Sequence, residues 1–157
     1  MKSHYSRLAA MAVLSFLSMH VLMYAMVDRF SNVYPNFNQF YMAGLMTAPM
    51  ILIELALMGA MYPNKKLNLI IAVVSAVALV AFFIAIRQQT AISDRQFLKS
   101  MIPHHASALL MCNEAPIQDA EIQALCKSIV AGQQSEIDQM NSILKRLNGA
   151  QSGELGR

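Results

Sequence analysis

Charge is what this chain has least of. Only 13% of its 157 residues are Asp, Glu, Lys or Arg, while 56% are hydrophobic. That scarcity excludes an ordinary water-soluble domain and points to a membrane before any motif is read. The chain also lacks the period-two alternation of half-buried strands, and it has no internal repeat, so sheet and solenoid architectures are set aside. Its 12 basic residues outnumber 9 acidic ones, but they lie scattered, mostly at the ends of apolar runs. A nucleic-acid-binding stripe is therefore absent, and these cations read as topology signals. No A-x-A site follows the first apolar run, which is longer than the apolar part of a signal peptide. We read it as a retained helix.

What the chain does have is three long apolar segments: LAAMAVLSFLSMHVLMYAMV (8–27), FYMAGLMTAPMILIELALMGAM (40–61) and LNLIIAVVSAVALVAFFIAI (67–86). Each is about 20 residues, enough at 1.5 Å per residue to span roughly 30 Å of hydrocarbon. We expect helix one to end near Asp28. Tyr34, Phe37, Phe40 and Tyr41 would then form an interfacial aromatic belt, and Pro49 would kink helix two. Lys2, Arg7, Lys65 and Lys66 on one side balance Arg29, Arg87, Arg95 and Lys99 on the other. The denser charge of the short N-terminal segments favours an N-terminus inside the cell and a C-terminal domain outside it.

From about Ser93 the composition turns to polar residues interleaved with apolar ones. Ser93 or Asp94 can cap one helix running to about Asn113, EAPIQD makes a turn, and Asp119 can cap a second helix running to about Leu147, with Gly149 as its stop. The expected fold class is all-α. Residues 1–89 form a three-helix transmembrane region, 90–148 an extramembrane antiparallel helical hairpin, and 149–157 a disordered tail.

Within the hairpin, MIPHHASALLMC (101–112) places two adjacent histidines between methionines and a cysteine. Helical spacing gathers Leu98, Met101, His104, His105, Ala108 and Cys112 on one face, with Met111 at its edge. On the next helix Cys126, Ile129, Gln133, Glu136, Met140, Ile143 and Leu147 share a seam. Levelling Cys112 with Cys126 brings His105 to the height of Gln133 and Leu98 to that of Met140. Imidazole and thioether donors would then converge between apolar layers. Thioether selects Cu(I) or Ag(I) and has no proton to lose, so Met101, His104, His105 and Met140 are candidate ligands, with Glu136 and Gln133 orienting the histidines from behind. The same pattern is equally compatible with a structural histidine pair bonded to Glu136. Cys112 and Cys126 suit a disulfide across the turn in an oxidising compartment, the reading favoured here; on a cytosolic side they would be thiol ligands.

A second group lies in the apolar segments, which hold nine of the 13 methionines. Helix two carries Met42, Met46, Met50 and Glu54 at intervals of four, and helix one carries His20 and Met23. An intramembrane carboxylate costs roughly 2.5–3.5 kcal/mol on insertion scales, so Glu54 needs a partner, for which His20 is the expected choice. An interhelical bond in a Met-packed interface is the favoured reading, and a soft-cation path is the functional one.

FLKSMIPHHASALLMCNEA followed by IQALCKSIVAGQQSEIDQM resembles the domain-of-unknown-function family numbered 305, whose pattern is Met-x-x-His-His, a turn, then Gln-x-x-Glu-Ile-x-x-Met. The apolar segments resemble a membrane-embedded subgroup of it. The resemblance implies copper-associated helical bundles, with Met101, His104, His105, Met111, Glu136 and Met140 matching the pattern. Many soluble relatives hold two such hairpins. This chain has one, so a four-helix bundle would require a homo-oligomer. The expectation is a non-enzymatic protein of a bacterial inner membrane, N-terminus cytoplasmic and hairpin periplasmic, binding copper and possibly silver for tolerance or handover. Its partners would be membrane lipid, copies of itself and a copper donor or acceptor protein, and no nucleic acid. The rival readings are a non-metal interaction module, in which the polar layer sets register, and a copper-transport component using the membrane stripe. A ferritin-like redox enzyme is discounted because Glu-x-x-His spacing is absent.

Overall fold

The computed structural model describes residues 2–154, and within them it is all-helical: five α-helices, three short 3₁₀ turns and no strand. The helices are α1 (Lys2–Leu22), α2 (Phe37–Leu57), α3 (Lys65–Arg87), α4 (Asp94–Glu114) and α5 (Ala120–Glu154). The chain divides into two compact units, one of residues 1–23 and 37–91, the other of residues 24–36 and 92–157.

In the first unit, three helices are long and apolar enough to cross a membrane. Their packing rests on small residues. Ala43, Gly44, Thr47 and Ala48 are the buried face of α2, and a Cβ on Gly44 would collide with the ring of Phe82 on α3. In lipid, where apolar side chains gain nothing by leaving one apolar medium for another, such close backbone approach is the main source of helix association. Thr47 donates to its own Ala43 carbonyl at 2.8 Å, so its hydroxyl is satisfied within the helix. Asn64 caps α3 by accepting from the Leu67 amide at 3.0 Å. At its other end the chain passes through left-handed Gln89, whose side chain donates back to the Ile86 carbonyl at 2.7 Å.

In the second unit, α4 and α5 pack along a core of Leu98, Ile102, Ala106, Leu109, Ile137, Met140 and Leu144. Their contacts join Cys112 with Cys126, His105 with Glu136 and Arg95 with Leu147, so the helices run in opposite directions. Asp119 starts α5 by accepting from the amides of Glu121 and Ile122. Ser93 occupies the corresponding position of α4 without a side-chain hydrogen bond. Gly149 does not stop α5, which continues to Glu154 in ordinary helical geometry. An interior glycine costs a helix only about 1 kcal/mol, and a stop needs the left-handed conformation that Gly149 does not take. Of the expected disordered tail, 149–154 is thus helical and 155–157 lies outside the described residues.

The segment expected to be a plain loop with an aromatic belt is part of the second unit. α1 ends at Leu22, earlier than Asp28, and passes into a 3₁₀ turn at Met23–Met26. Val27 and Tyr34 then pack on the α4–α5 core. The Tyr34 hydroxyl donates to Asn141 on α5 at 2.9 Å, and buried Asn36 donates to the Lys99 carbonyl of α4 at 3.3 Å. Tyr34 therefore serves the helix pair, whereas Phe37, Phe40 and Tyr41 form the aromatic cluster of α2, where Phe40 and Tyr41 meet Phe82.

Candidate metal centre

The two histidines of α4 differ in surroundings because one residue is a rotation of about 100° on a helix. His105 turns toward α5 and is largely buried, its side chain 13% exposed, with Nδ1 3.0 Å from Glu136 Oε2; the Glu136 side chain is 56% exposed. The two are at ion-pair distance, yet no hydrogen bond joins them and the buried His105 Nδ1 has no hydrogen-bond partner among the described residues. The buried Oε1 of Gln133 likewise has no hydrogen-bond partner among the described residues. Two unmet polar atoms in one small region are unusual, since buried polar groups are nearly always paired. His104 is exposed, with its ring centroid 6.0 Å from that of His105.

Register explains why Glu136 takes the place expected for Gln133. The disulfide joins Cys112 and Cys126 with their Cα atoms 5.3 Å apart, but two packed helices interlock with side chains offset between turns. One turn toward the start of α4 lies Met101, and one turn toward the end of α5 lies Met140. With the helices antiparallel, both steps go the same way. The two thioethers thus follow the His105–Glu136 pair as the next layer, Met140 inside the apolar core and Met101 packed against it. Met111 is exposed on α4. Of the expected set, then, the structure brings together His105 and Glu136, with Met101 and Met140 adjacent along the helices. His104 and Met111 stay at the surface. Among the described residues no three His, Cys, Asp or Glu side chains converge tightly enough to hold a metal alone.

With Cys112 and Cys126 bonded to each other, no free cysteine remains. Thiolate is thereby removed from the donor set, which leaves imidazole, thioether and one carboxylate.

The second expected group is not assembled as the spacing suggested. Glu54 accepts from the buried hydroxyl of Tyr62 at 3.0 Å, and His20 stacks on Phe16, ring centroids 6.5 Å apart. The reason is direction. Thr47 of α2 meets Met19 of α1, and Tyr62 just after α2 meets Tyr5 near the start of α1, so Glu54 and His20 sit toward opposite ends of the α1–α2 pair. Burial pushes the Tyr62 phenol above its ordinary pKa, and the bond to Glu54 acts the same way, which keeps it a neutral donor. Met42 and Met46 face outward from α2, Met23 and Met50 are half-buried, and the inner face belongs to the small residues. Tyr62 was the partner that sequence reasoning missed; its signal was a tyrosine eight residues beyond an otherwise unpaired carboxylate.

Residues 84–155, covering all of α4 and all of α5, match the family model described as Domain of unknown function (DUF305). The chain is also 39% identical over 109 residues to Uncharacterized protein L153 of Acanthamoeba polyphaga mimivirus, an alignment covering 68% of this chain and 70% of that protein. The chain belongs to the DUF305 family. The likeness to the mimivirus protein runs over more residues than the DUF305 segment itself, so it is not confined to α4 and α5. No solved structure matches the chain. The DUF305 segment contains every residue of the His105–Glu136 layer and both cysteines, whereas the Tyr62–Glu54 pair lies outside it.

Proposed function

We propose that this DUF305 protein is a membrane-anchored, non-enzymatic binder of copper as Cu(I), and of silver as its soft analogue, acting in metal tolerance or handover. The observation that carries the reading is the pair of unmet buried atoms, His105 Nδ1 and Gln133 Oε1, set beside Glu136 with Met101 and Met140 in the next layer. An imidazole nitrogen held in a largely buried place with no aligned donor or acceptor is free to ligate. Thioethers beside it bias the site toward a soft monovalent cation. The disulfide suits an oxidising compartment, which supports a reading with the α4–α5 hairpin on the periplasmic side of a bacterial inner membrane and the N-terminus cytoplasmic. Packing of residues 24–36 with α4 and α5 supports the topology, because α2 and α3, two crossings, separate those segments and must return the chain to the same side. Copies of the chain would complete a four-helix bundle, and a copper donor or acceptor protein would exchange the metal.

The test is competition for Cu(I) against a chelator of known affinity, using the full chain in detergent. His104→Ala combined with His105→Ala should lose stoichiometric copper. Binding by the unaltered protein should be lost in acid, because a protonated ring cannot ligate. Full copper retention by the double variant overturns the reading.

A further inference from the structure

The α4–α5 pair has two broad faces. Over one lies the chain's own 24–36 segment, held by Tyr34 to Asn141 and by Asn36 to Lys99. The other leaves large apolar side chains exposed. On it α4 presents Phe97, Met101, His104, Ala108 and Met111, at steps of four and three, the spacing by which one helix seats against another. Phe97, His104 and Met111 are exposed, and so on the same side of α5 are Ile122, Leu125 and Glu136. Of the ionisable residues between Phe97 and Met111 on α4 and between Ile122 and Met140 on α5, helical spacing turns Lys99, Lys127 and Asp138 away from this face and leaves His104, His105 and Glu136 on it. His105 is already turned inward to Glu136.

We infer that a second copy of this chain docks on that face, with His104 of one copy against Glu136 of the other. The pairing is self-complementary. A two-fold axis makes any contact of residue i with residue j occur twice, so the exposed His104 of each copy meets the exposed carboxylate of the other's Glu136, which its own His105 touches through Oε2. The surrounding exposed apolar residues gain burial in the same step. An apolar patch of this kind, with charge confined to one point, is the composition of an interface centre and not of a solvated surface. The consequence deepens the copper reading and rests on it only in part: His104, which one chain leaves at the surface, joins the His105–Glu136 layer when the second copy arrives. That explains why a single chain does not gather three ligating groups.

The experiment uses the full chain in detergent with chelator present, so that the outcome does not depend on copper. The mass of the unaltered protein should correspond to two copies, and Leu125→Glu should give one copy with the Cys112–Cys126 disulfide and the helical content retained. Two differently tagged chains, one His104→Cys and the other Glu136→Cys, should form a mixed cross-link on mild oxidation when co-expressed. A one-copy mass for the unaltered protein overturns the inference, as does a two-copy mass unmoved by Leu125→Glu, or failure of the cross-link. A two-copy protein that cross-links as expected but takes up no Cu(I) supports the interface and overturns the copper reading alone.

Discussion

At the scale of single residues, the second unit depends on its two largest fully buried side chains, Ile102 and Ile137. They face each other's helices across the core, while their sequence neighbours His104, His105 and Glu136 carry the polar chemistry on the adjacent flank. A truncation at Ile137 removes apolar contact and leaves a cavity that flanking helices fill only in part. Ile137→Ala should therefore lower the stability of the second unit by about 2–5 kcal/mol, measured as denaturant-induced loss of helicity in detergent. Polar residues at this scale follow a different rule. Glu54 is tolerable near the end of an apolar helix because a buried phenol hydroxyl reaches it, and the missing His20 contact shows that residue type alone does not choose the partner.

At the scale of elements, each helix pair is held by something specific. In α2 and α3 it is the absence of a side chain at Gly44, which lets the Phe82 ring approach. Phe82 is itself flanked by Phe40 and Tyr41 and has little room to turn away. Gly44→Val should thus separate α2 from α3, read as a lower melting temperature in detergent, with the α4–α5 disulfide unaffected. For α4 and α5 the covalent link closes a short loop, 14 residues in separation. In the chain-entropy account a loop of that size contributes about 3 kcal/mol, so treatment with reductant should lower the melting temperature of the second unit. An unchanged melt after verified reduction would show that the core and the 24–36 segment suffice without it.

For the whole molecule, the three apolar helices and the two units make one topological statement. Residues 24–36 share a unit with α4 and α5, and the chain between them contains two helices able to cross a membrane. If α2 and α3 both cross, those two segments face one side and the 58–64 connection the other. Single cysteines at exposed Ser31 and Ser93 should react with an impermeant thiol reagent from the same face of sealed vesicles. One at Lys65 should react only after permeabilisation. Labelling of all three from one side would refute three crossings.

How much was legible in the sequence varies with the range of the forces involved. The five helices, the Asp119 cap, the Cys112–Cys126 pairing and the methionine–histidine flank all follow from local spacing, which a linear pattern records directly. The end of α5 beyond Gly149 did not, because glycine permits a stop without compelling one. Nor did the three-residue offset that gives His105 to Glu136 in place of Gln133, or the choice of Tyr62 for Glu54. Those depend on how two helices interlock and on which ends meet. The sequence by itself determined an apolar three-helix segment followed by a polar helix pair, since hydropathy and period are properties of the chain. Only the tertiary structure decided that residues 24–36 pack on that pair, because shape and hydrogen bonding between distant segments have no signature along the chain.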